Sequence, residues 1–442
     1  MFGGVKFLGK QVLAVARIFC LFMVALFLPK IFLTRIHSSA RKIPLRSSSQ
    51  FRLGIENLSP SFLKKLTPKG DMSFRAGLVT NQTGKDQSGM QTVDILREKG
   101  VNVVSLFAPE HGVSGNISAA RTVPNAKDKK RNIKIISLYR NGSTKKFDQE
   151  ILKDIDVLFF DMQDSGMRHY TYITTLFEML EAASLHKKVA VVLDRPNPLG
   201  PYMEGTLVGP SFKSAISYAP IPVRYGMTIG ELALYFNKNI LKKPAKLHVV
   251  QMKNYNRHSY RSHGLLAHLS PNITSMNSCY GYSFLGLLGE IRPFDVGVGT
   301  ERAFQCILLP ENIKFSKKRW HELHLALKKQ GVENSFYRYY SARKKRYCSG
   351  LRLRVADINR FSSFGTFLMI VDFFKRSGVT LTFSKHFDKA AGSAKVREFL
   401  EGKLSRVALT KHINEGLNSF FKKASELNCF LYRPSPKIVN LS

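Results

Sequence analysis

The carboxylates Glu110, Asp161, Asp164, Asp194, Glu204 and Glu290 all stand in loop-like stretches bounded by glycine or proline. Two carboxylates brought to one cleft, one kept protonated as an acid and the other ionised as a base or nucleophile, are what cleavage of a glycosidic bond requires. Most of these residues belong to polar clusters that follow short apolar runs. Residues 101–107 lead into Pro109-Glu110-His111-Gly112, and residues 157–160 into Asp161-Met162-Gln163-Asp164-Ser165-Gly166-Met167-Arg168. Residues 189–193 lead into Asp194-Arg195-Pro196-Asn197-Pro198, and residues 77–79 into Thr80-Asn81-Gln82-Thr83-Gly84. Carboxylates, amides, guanidinium groups and a histidine collected in this way suit recognition and acid/base cleavage of a polar, hydroxyl-rich substrate.

Other chemistries are set aside by missing motifs. There is no GxSxG elbow, HExxH pair or P-loop, and Gly297-Val298-Gly299 lacks the next glycine and the preceding strand of a dinucleotide fingerprint. Glu110 and His111 are adjacent, a spacing that cannot put two metal ligands on one helical face. The cysteines Cys20, Cys279, Cys306, Cys348 and Cys429 form no CxxC pair, so buried thiols are expected rather than a zinc site, with one or two disulfides open to an exported chain. No metal and no cofactor enters the expected chemistry. Lys+Arg 68 against Asp+Glu 31 gives a net charge of +37, which favours an anionic partner: nucleic acid, anionic lipid or an acidic polymer. The basic residues are spread along the whole chain without the aromatic-interleaved repeat of a nucleic-acid reader, so nucleic acid is not the expected partner.

The polar clusters need a scaffold, and 44% hydrophobic residues over 442 positions provide for a sizeable core and exclude a disordered chain. Strands are expected at 74–79, 101–107, 156–161, 188–193 and 246–252, with a loop after the second reaching 133–138. Helices are expected at 90–99, 171–186 and 229–240, the last opened by Thr228 with Glu231 three positions on, as in a capping box. This alternation predicts an α/β domain, a doubly wound parallel sheet over 65–264, in which ligands gather beyond the carboxyl ends of the strands. After Pro271 the alternation weakens. Strands at 303–309 and 351–355 and helices at 320–329, 361–376 and 411–424 predict a second, smaller α+β domain over 265–442. The first fifty residues differ from the rest: Lys6, Lys10 and Arg17 precede the apolar run 18–28, and Ser38-Ser39-Ala40 follows. This reads as an export signal, or as an uncleaved inner-membrane anchor over 12–33 with Arg17 snorkelling, ahead of a linker at 47–50. Either reading places the protein in the periplasm or on the inner membrane facing it.

Five stretches resemble, in order, the motifs of the bacterial exo-β-N-acetylmuramidase family. They are Gly77-Leu78-Val79-Thr80-Asn81-Gln82-Thr83-Gly84, Leu106-Phe107-Ala108-Pro109-Glu110-His111-Gly112, the run from Asp161 through Arg168-His169-Tyr170-Thr171-Tyr172, Asp194-Arg195-Pro196-Asn197-Pro198-Leu199-Gly200, and Pro222-Val223-Arg224-Tyr225-Gly226-Met227-Thr228-Ile229-Gly230-Glu231-Leu232. The resemblance runs from about residue 70 to the C-terminus and includes Ser270-Pro271-Asn272 and Phe430-Leu431-Tyr432. It implies a Rossmann-like N-terminal domain, a C-terminal auxiliary domain and a cleft between them. The implied reaction is cofactor-free release of N-acetylmuramic acid from non-reducing ends of peptidoglycan fragments. Glu110 then corresponds to the catalytic acid, and His111 orients it or binds a sugar hydroxyl. Asp164 is the expected second carboxylate, with Glu290 of the second domain as the candidate partner should Asp164 stand apart. Arg168 suits the lactyl carboxylate of muramic acid, Tyr170 or Tyr172 a sugar face, and Asn81, Arg195 and Asn197 hydroxyl and N-acetyl contacts. One stretch departs from the family pattern. Where a Glu-Gly-Thr-Asn stretch usually leads to Gly-Arg-Gly-Thr, this chain reads Glu290-Ile291-Arg292-Pro293-Phe294-Asp295-Val296-Gly297-Val298-Gly299-Thr300, with Arg302 nearby as a compensating charge. The competing readings are a catalytically silent peptidoglycan-binding relative and an α/β protein whose basic surface binds nucleic acid or lipid. The intact Glu110 and Asp164 clusters favour an enzyme over the silent relative, and the export signal and missing nucleic-acid motifs disfavour the third reading.

Overall fold

The computed structural model describes residues 50–441, apart from 68, 141–142, 145–146, 259–267, 342–344, 357 and 359–360. The N-terminal export or anchor segment and the expected domain boundary near 265 lie outside the described residues. Among the described residues no helix is long and apolar enough to cross a membrane.

Seven strands form the central sheet: β1 (Arg75–Thr80), β2 (Asn102–Ala108), β3 (Ala126–Asp128), β4 (Ile133–Ser137), β5 (Val157–Asp161), β6 (Val189–Leu193) and β7 (Lys246–Val250). Their spatial order is β7-β6-β5-β1-β2-β4-β3, parallel throughout except for the β3–β4 pair. The chain steps outward from β1 to β2 and β4, then returns to the opposite flank of β1 for β5, β6 and β7. Such a reversal opens a crevice at the carboxyl ends of the strands on either side of it. The register makes those ends level: Val79 pairs with Phe107 on one side and Phe160 on the other, and Thr80 pairs with Asp161. Every residue of β5 is buried, so the strand reads as an unbroken apolar run, as expected of a parallel strand covered on both faces. Gly77 is required by this packing, because a Cβ there would lie 2.5 Å from Phe107 Cε2.

Helices α1 (Thr92–Glu98), α2 (Tyr172–Leu185) and α3 (Ile229–Tyr235) cover the sheet. Thr228 and Glu231 form the expected capping box, and the helix continues from α3 as a π-helical turn to Ile240. Downstream come α4 (Met276–Leu288), an antiparallel sheet of β8 (Cys306–Pro310), β9 (Val332–Ser341) and β10 (Arg346–Val355), and helices α5 (Lys317–Lys329), α6 (Ser363–Arg376), α7 (Phe387–Ala391), α8 (Ala394–Glu401) and α9 (Arg406–Glu426). The stripe Leu409, Ile413, Leu417, Phe420 and Ala424 buries one face of α9. Cys279, Cys306, Cys348 and Cys429 are all buried.

Buried carboxylates fasten the second part of the chain to the first. Glu204 pairs with Arg224 at 2.5 Å and accepts hydrogen bonds from Ser362 Oγ and the Phe364 N–H. Glu231 pairs with Arg257 and accepts the Leu431 N–H, while Asp194 accepts the Tyr432 hydroxyl at 2.6 Å. Each of these anions is met by a guanidinium or by several donors, as a buried charge must be.

Candidate active site

From the end of β2 the chain turns through Pro109 and Glu110 into His111 and Gly112, both left-handed, with φ of 71° and 76°. A histidine held in that region is strained, a condition that persists only where surrounding structure enforces it. Here His111 Nδ1 lies 2.7 Å from the Ile117 carbonyl oxygen. A carbonyl can only accept, so Nδ1 carries a proton, and in the neutral tautomer this fixes, Nε2 is the acceptor. Glu110 is buried, and neutral donors hold both of its oxygens: Oε1 accepts the Ala120 N–H at 2.9 Å and Oε2 the Thr171 hydroxyl at 2.8 Å. Tyr139 lies within electrostatic reach of this carboxylate, and burial first, then Glu110, push its phenol upward.

Glu110 and His111 open onto a cleft of about 560 Å3. Tyr139, Tyr170 and Thr171 line it from the sheet-bearing part, and Asn272, Tyr282 and Glu290 from the downstream part. An adjoining cavity of about 360 Å3 shares His169, Tyr282 and Glu290 with it. Glu290 accepts the Ser384 hydroxyl, and neither it nor Glu110 has a cationic partner among the described residues. Tyr170 donates its hydroxyl to the Leu269 carbonyl at 2.8 Å and keeps an edge on the cleft, whereas Tyr172, 4.5 Å away ring to ring, is core. In the stretch that departs from the family pattern, Gly299 N–H reaches cleft residue Asn272, and Arg302 lies outside the cleft lining.

The other expected site residues are buried in the scaffold. Asp164 does not line the cleft. Its Oδ1 accepts from the Tyr225 hydroxyl and the Gly166 N–H, its Oδ2 has no partner among the described residues, and burial raises its pKa to about 7. Arg168 is fully buried, donating to the carbonyls of Thr206, Ile221 and Ala390 at 2.5, 2.7 and 3.0 Å. Arg195 grips Asp161 with two bonds of 2.5 and 2.9 Å and reaches the Lys85 carbonyl. Asn197 closes a turn, accepting the Leu199 N–H and donating to the Met227 carbonyl, and Asn81 accepts the Thr83 N–H and hydroxyl. These side chains shape the strand-end loops from beneath. Cleft residues without an expected role include Thr171, His169, Tyr282, His386 and Lys389. Of these only His169 and Thr171 carry a sequence signal, because they lie inside the cluster after β5.

Two family models cover most of the chain: "Exo-beta-N-acetylmuramidase NamZ, N-terminal" matches residues 76–277 and its C-terminal companion residues 280–432. The chain is 36% identical over 382 residues to the peptidoglycan beta-N-acetylmuramidase NamZ of Bacillus subtilis, a match covering 84% of this chain and 89% of that protein. It is similar to the crystal structure of a DUF1343 family protein from Bacteroides fragilis, with TM-score 0.75, 32% identity and coverage of 87% and 99% of the two chains. A second DUF1343 structure from the same organism, at TM-score 0.67 and 24% identity over 87% and 99%, shares the fold.

Proposed function

This chain belongs to the exo-β-N-acetylmuramidase family, and from that premise we propose that it is an exported glycoside hydrolase releasing N-acetylmuramic acid from the non-reducing ends of peptidoglycan fragments. The observation that carries the reading is a contrast among carboxylates. Asp161, Glu204 and Glu231 are each neutralised by an arginine. Glu110 and Glu290, which line the cleft, are held by neutral donors, so a proton can leave or arrive without breaking an ion pair.

Glu110 delivers a proton to the departing glycosidic oxygen, and Glu290, which lines the same cleft, serves as the second carboxylate in the place expected of Asp164. His111, protonated on Nδ1, offers Nε2 as an acceptor for a sugar hydroxyl. Tyr170, Tyr282 and Phe304 give the cleft apolar ring surface against which a sugar face packs. The signal-like segment before residue 50 supports an extracytoplasmic place of action, where the polymer lies.

The test uses an aryl β-glycoside of N-acetylmuramic acid. Glu110→Gln keeps the shape of the side chain and cannot supply a proton, so kcat is expected to fall by about 10²-fold or more, with KM and Tm nearly unchanged. A variant that keeps more than about a tenth of the wild-type kcat shows that Glu110 is not the acid. Cell fractionation addresses export, and recovery of the chain in the cytoplasm alone overturns that part of the reading.

A further inference from the structure

Arg168 cannot reach a substrate, yet one of its bonds leads to a helix that can. Ala390 belongs to α7, and three contacts pin the C-terminal end of that helix to the sheet-bearing part of the chain. Arg168 Nη2 donates to the Ala390 carbonyl, Thr206 Oγ1 to the Ala391 carbonyl, and the Gly209 N–H to the Gly392 carbonyl at 2.9 Å. The packing at this end is close: a Cβ on Gly392 would stand 2.6 Å from Arg168 Nη2.

On this fixed helix Lys389 is exposed and lines the same cleft as Glu110. Its neighbour Asp388 is engaged by Arg397, and Lys389 has no carboxylate partner among the described residues. Glu290, the second carboxylate on the cleft, repels an anionic sugar, and a cation lining the same cleft offsets that repulsion. Arg292 lies in the adjoining cavity and donates to the Gly289 carbonyl. Muramic acid differs from glucosamine by an ether-linked lactyl group that ends in a carboxylate.

We infer that Lys389 binds the lactyl carboxylate of the terminal muramic acid and is the residue that selects it over N-acetylglucosamine, with Arg168 and Thr206 as positioning residues that hold α7 in place. The inference rests on the proposed muramidase reading and assigns its specificity to a helix from the downstream part of the chain.

Kinetics of the full chain on three aryl β-glycosides test it: N-acetylmuramic acid, its lactyl methyl ester and N-acetylglucosamine. The wild type is expected to prefer the free acid over the ester by about tenfold or more in kcat/KM, the scale of a charge-assisted hydrogen bond. Lys389→Met should bring the acid down to the ester's level through KM, with kcat within about twofold and no further loss on the ester. Thr206→Val should raise KM for the acid alone and leave the ester unchanged, a split that loss of fold would not produce. Lys385→Met, an exposed neighbour outside the cleft lining, is the control and should match the wild type. Unchanged discrimination in Lys389→Met, or equal losses on acid and ester, overturns the assignment to Lys389 while leaving hydrolysis in place. A wild type that cleaves none of the three removes the muramidase reading and this inference with it.

Discussion

His169 is a base kept from its proton. Burial, and after it the neighbouring Arg168, lower its pKa to about 3, and neither ring nitrogen has a partner among the described residues. A buried donor and acceptor left unmade cost about 1–3 kcal/mol each, a strain that points to the cavities His169 shares with Tyr282, whose ring lies 4.7 Å away. The ring fits only because residue 286 is glycine: a Cβ there would meet His169 Nε2 at 2.5 Å and Tyr282 Cε2 at 3.3 Å. Gly286→Ala should therefore lower stability by about 1–3 kcal/mol through overpacking, and it should reduce kcat/KM by displacing both rings from the cleft wall. Denaturant unfolding and steady-state kinetics check both effects, and an unchanged kcat/KM would separate His169 from the site. Glu110, His111 and Tyr170 were legible in the sequence because strand-end clusters mark a crevice. Arg168, Arg195 and Asn197 share that signal and are buried beneath it, since a cluster's position says nothing about which of its side chains turn inward. Lys389 and Tyr282 carry no local signal at all, because only folding brings α7 and α4 to the crevice.

The elements legible in the sequence are those whose burial leaves a periodic trace. β5 and β6, covered on both faces, read as continuous apolar runs, and α3 announced itself by its capping box. β9 did not: along an exposed sheet edge, Glu333-Asn334-Ser335 and Arg338 break any alternation, and its exposed Phe336 and Tyr340 face away from the core. α4 contains Gly281 and Gly286, which lower helix propensity and hid it, although both are required by close neighbours. The carboxylates that join the two parts were legible as acids and misleading as catalysts. Their structural weight is testable at Glu204, whose replacement by Gln leaves Arg224 buried without a counter-charge and disturbs the start of α6 at Ser362 and Phe364. Breaking one partner of such a pair costs about 3–5 kcal/mol, whereas removing the exposed Lys411–Glu415 pair should cost no more than about 0.5 kcal/mol. Urea unfolding of Glu204→Gln and Lys411→Ala measures the difference, and equal losses would mean that the buried pair is not what fastens the parts.

Across the whole molecule, buried ionisable groups set how stability responds to pH. Burial pushes Asp164 up to about 7 and Asp194 up to about 6, and lowers His169 to about 3. A carboxyl whose folded pKa lies above its unfolded value binds its proton more tightly when folded, so its stabilisation is complete below about pH 4 and is lost as pH rises through 6 and 7. The depressed imidazole works the other way, contributing fully above about pH 6.5 and losing that contribution as pH falls toward 3. Between pH 4 and 6 the folded chain holds two extra protons on the aspartates and lacks one on the histidine, so these groups together lower stability as pH rises. The net charge of +37 adds a repulsive background that the comparison must cancel, which a single variant does. Asp164→Asn keeps an oxygen for the Tyr225 hydroxyl and removes the buried titration. It is expected to gain Tm relative to the wild type at pH 8, where the wild-type carboxyl must ionise or hold its proton at a cost, and to lose that advantage at pH 5, where the wild-type group is protonated. Calorimetric scans of both proteins at the two pH values decide it: a Tm difference that does not change with pH would mean that Asp164 titrates in the fold as it does in the unfolded chain, and that the ground beneath the cleft carries a fixed charge.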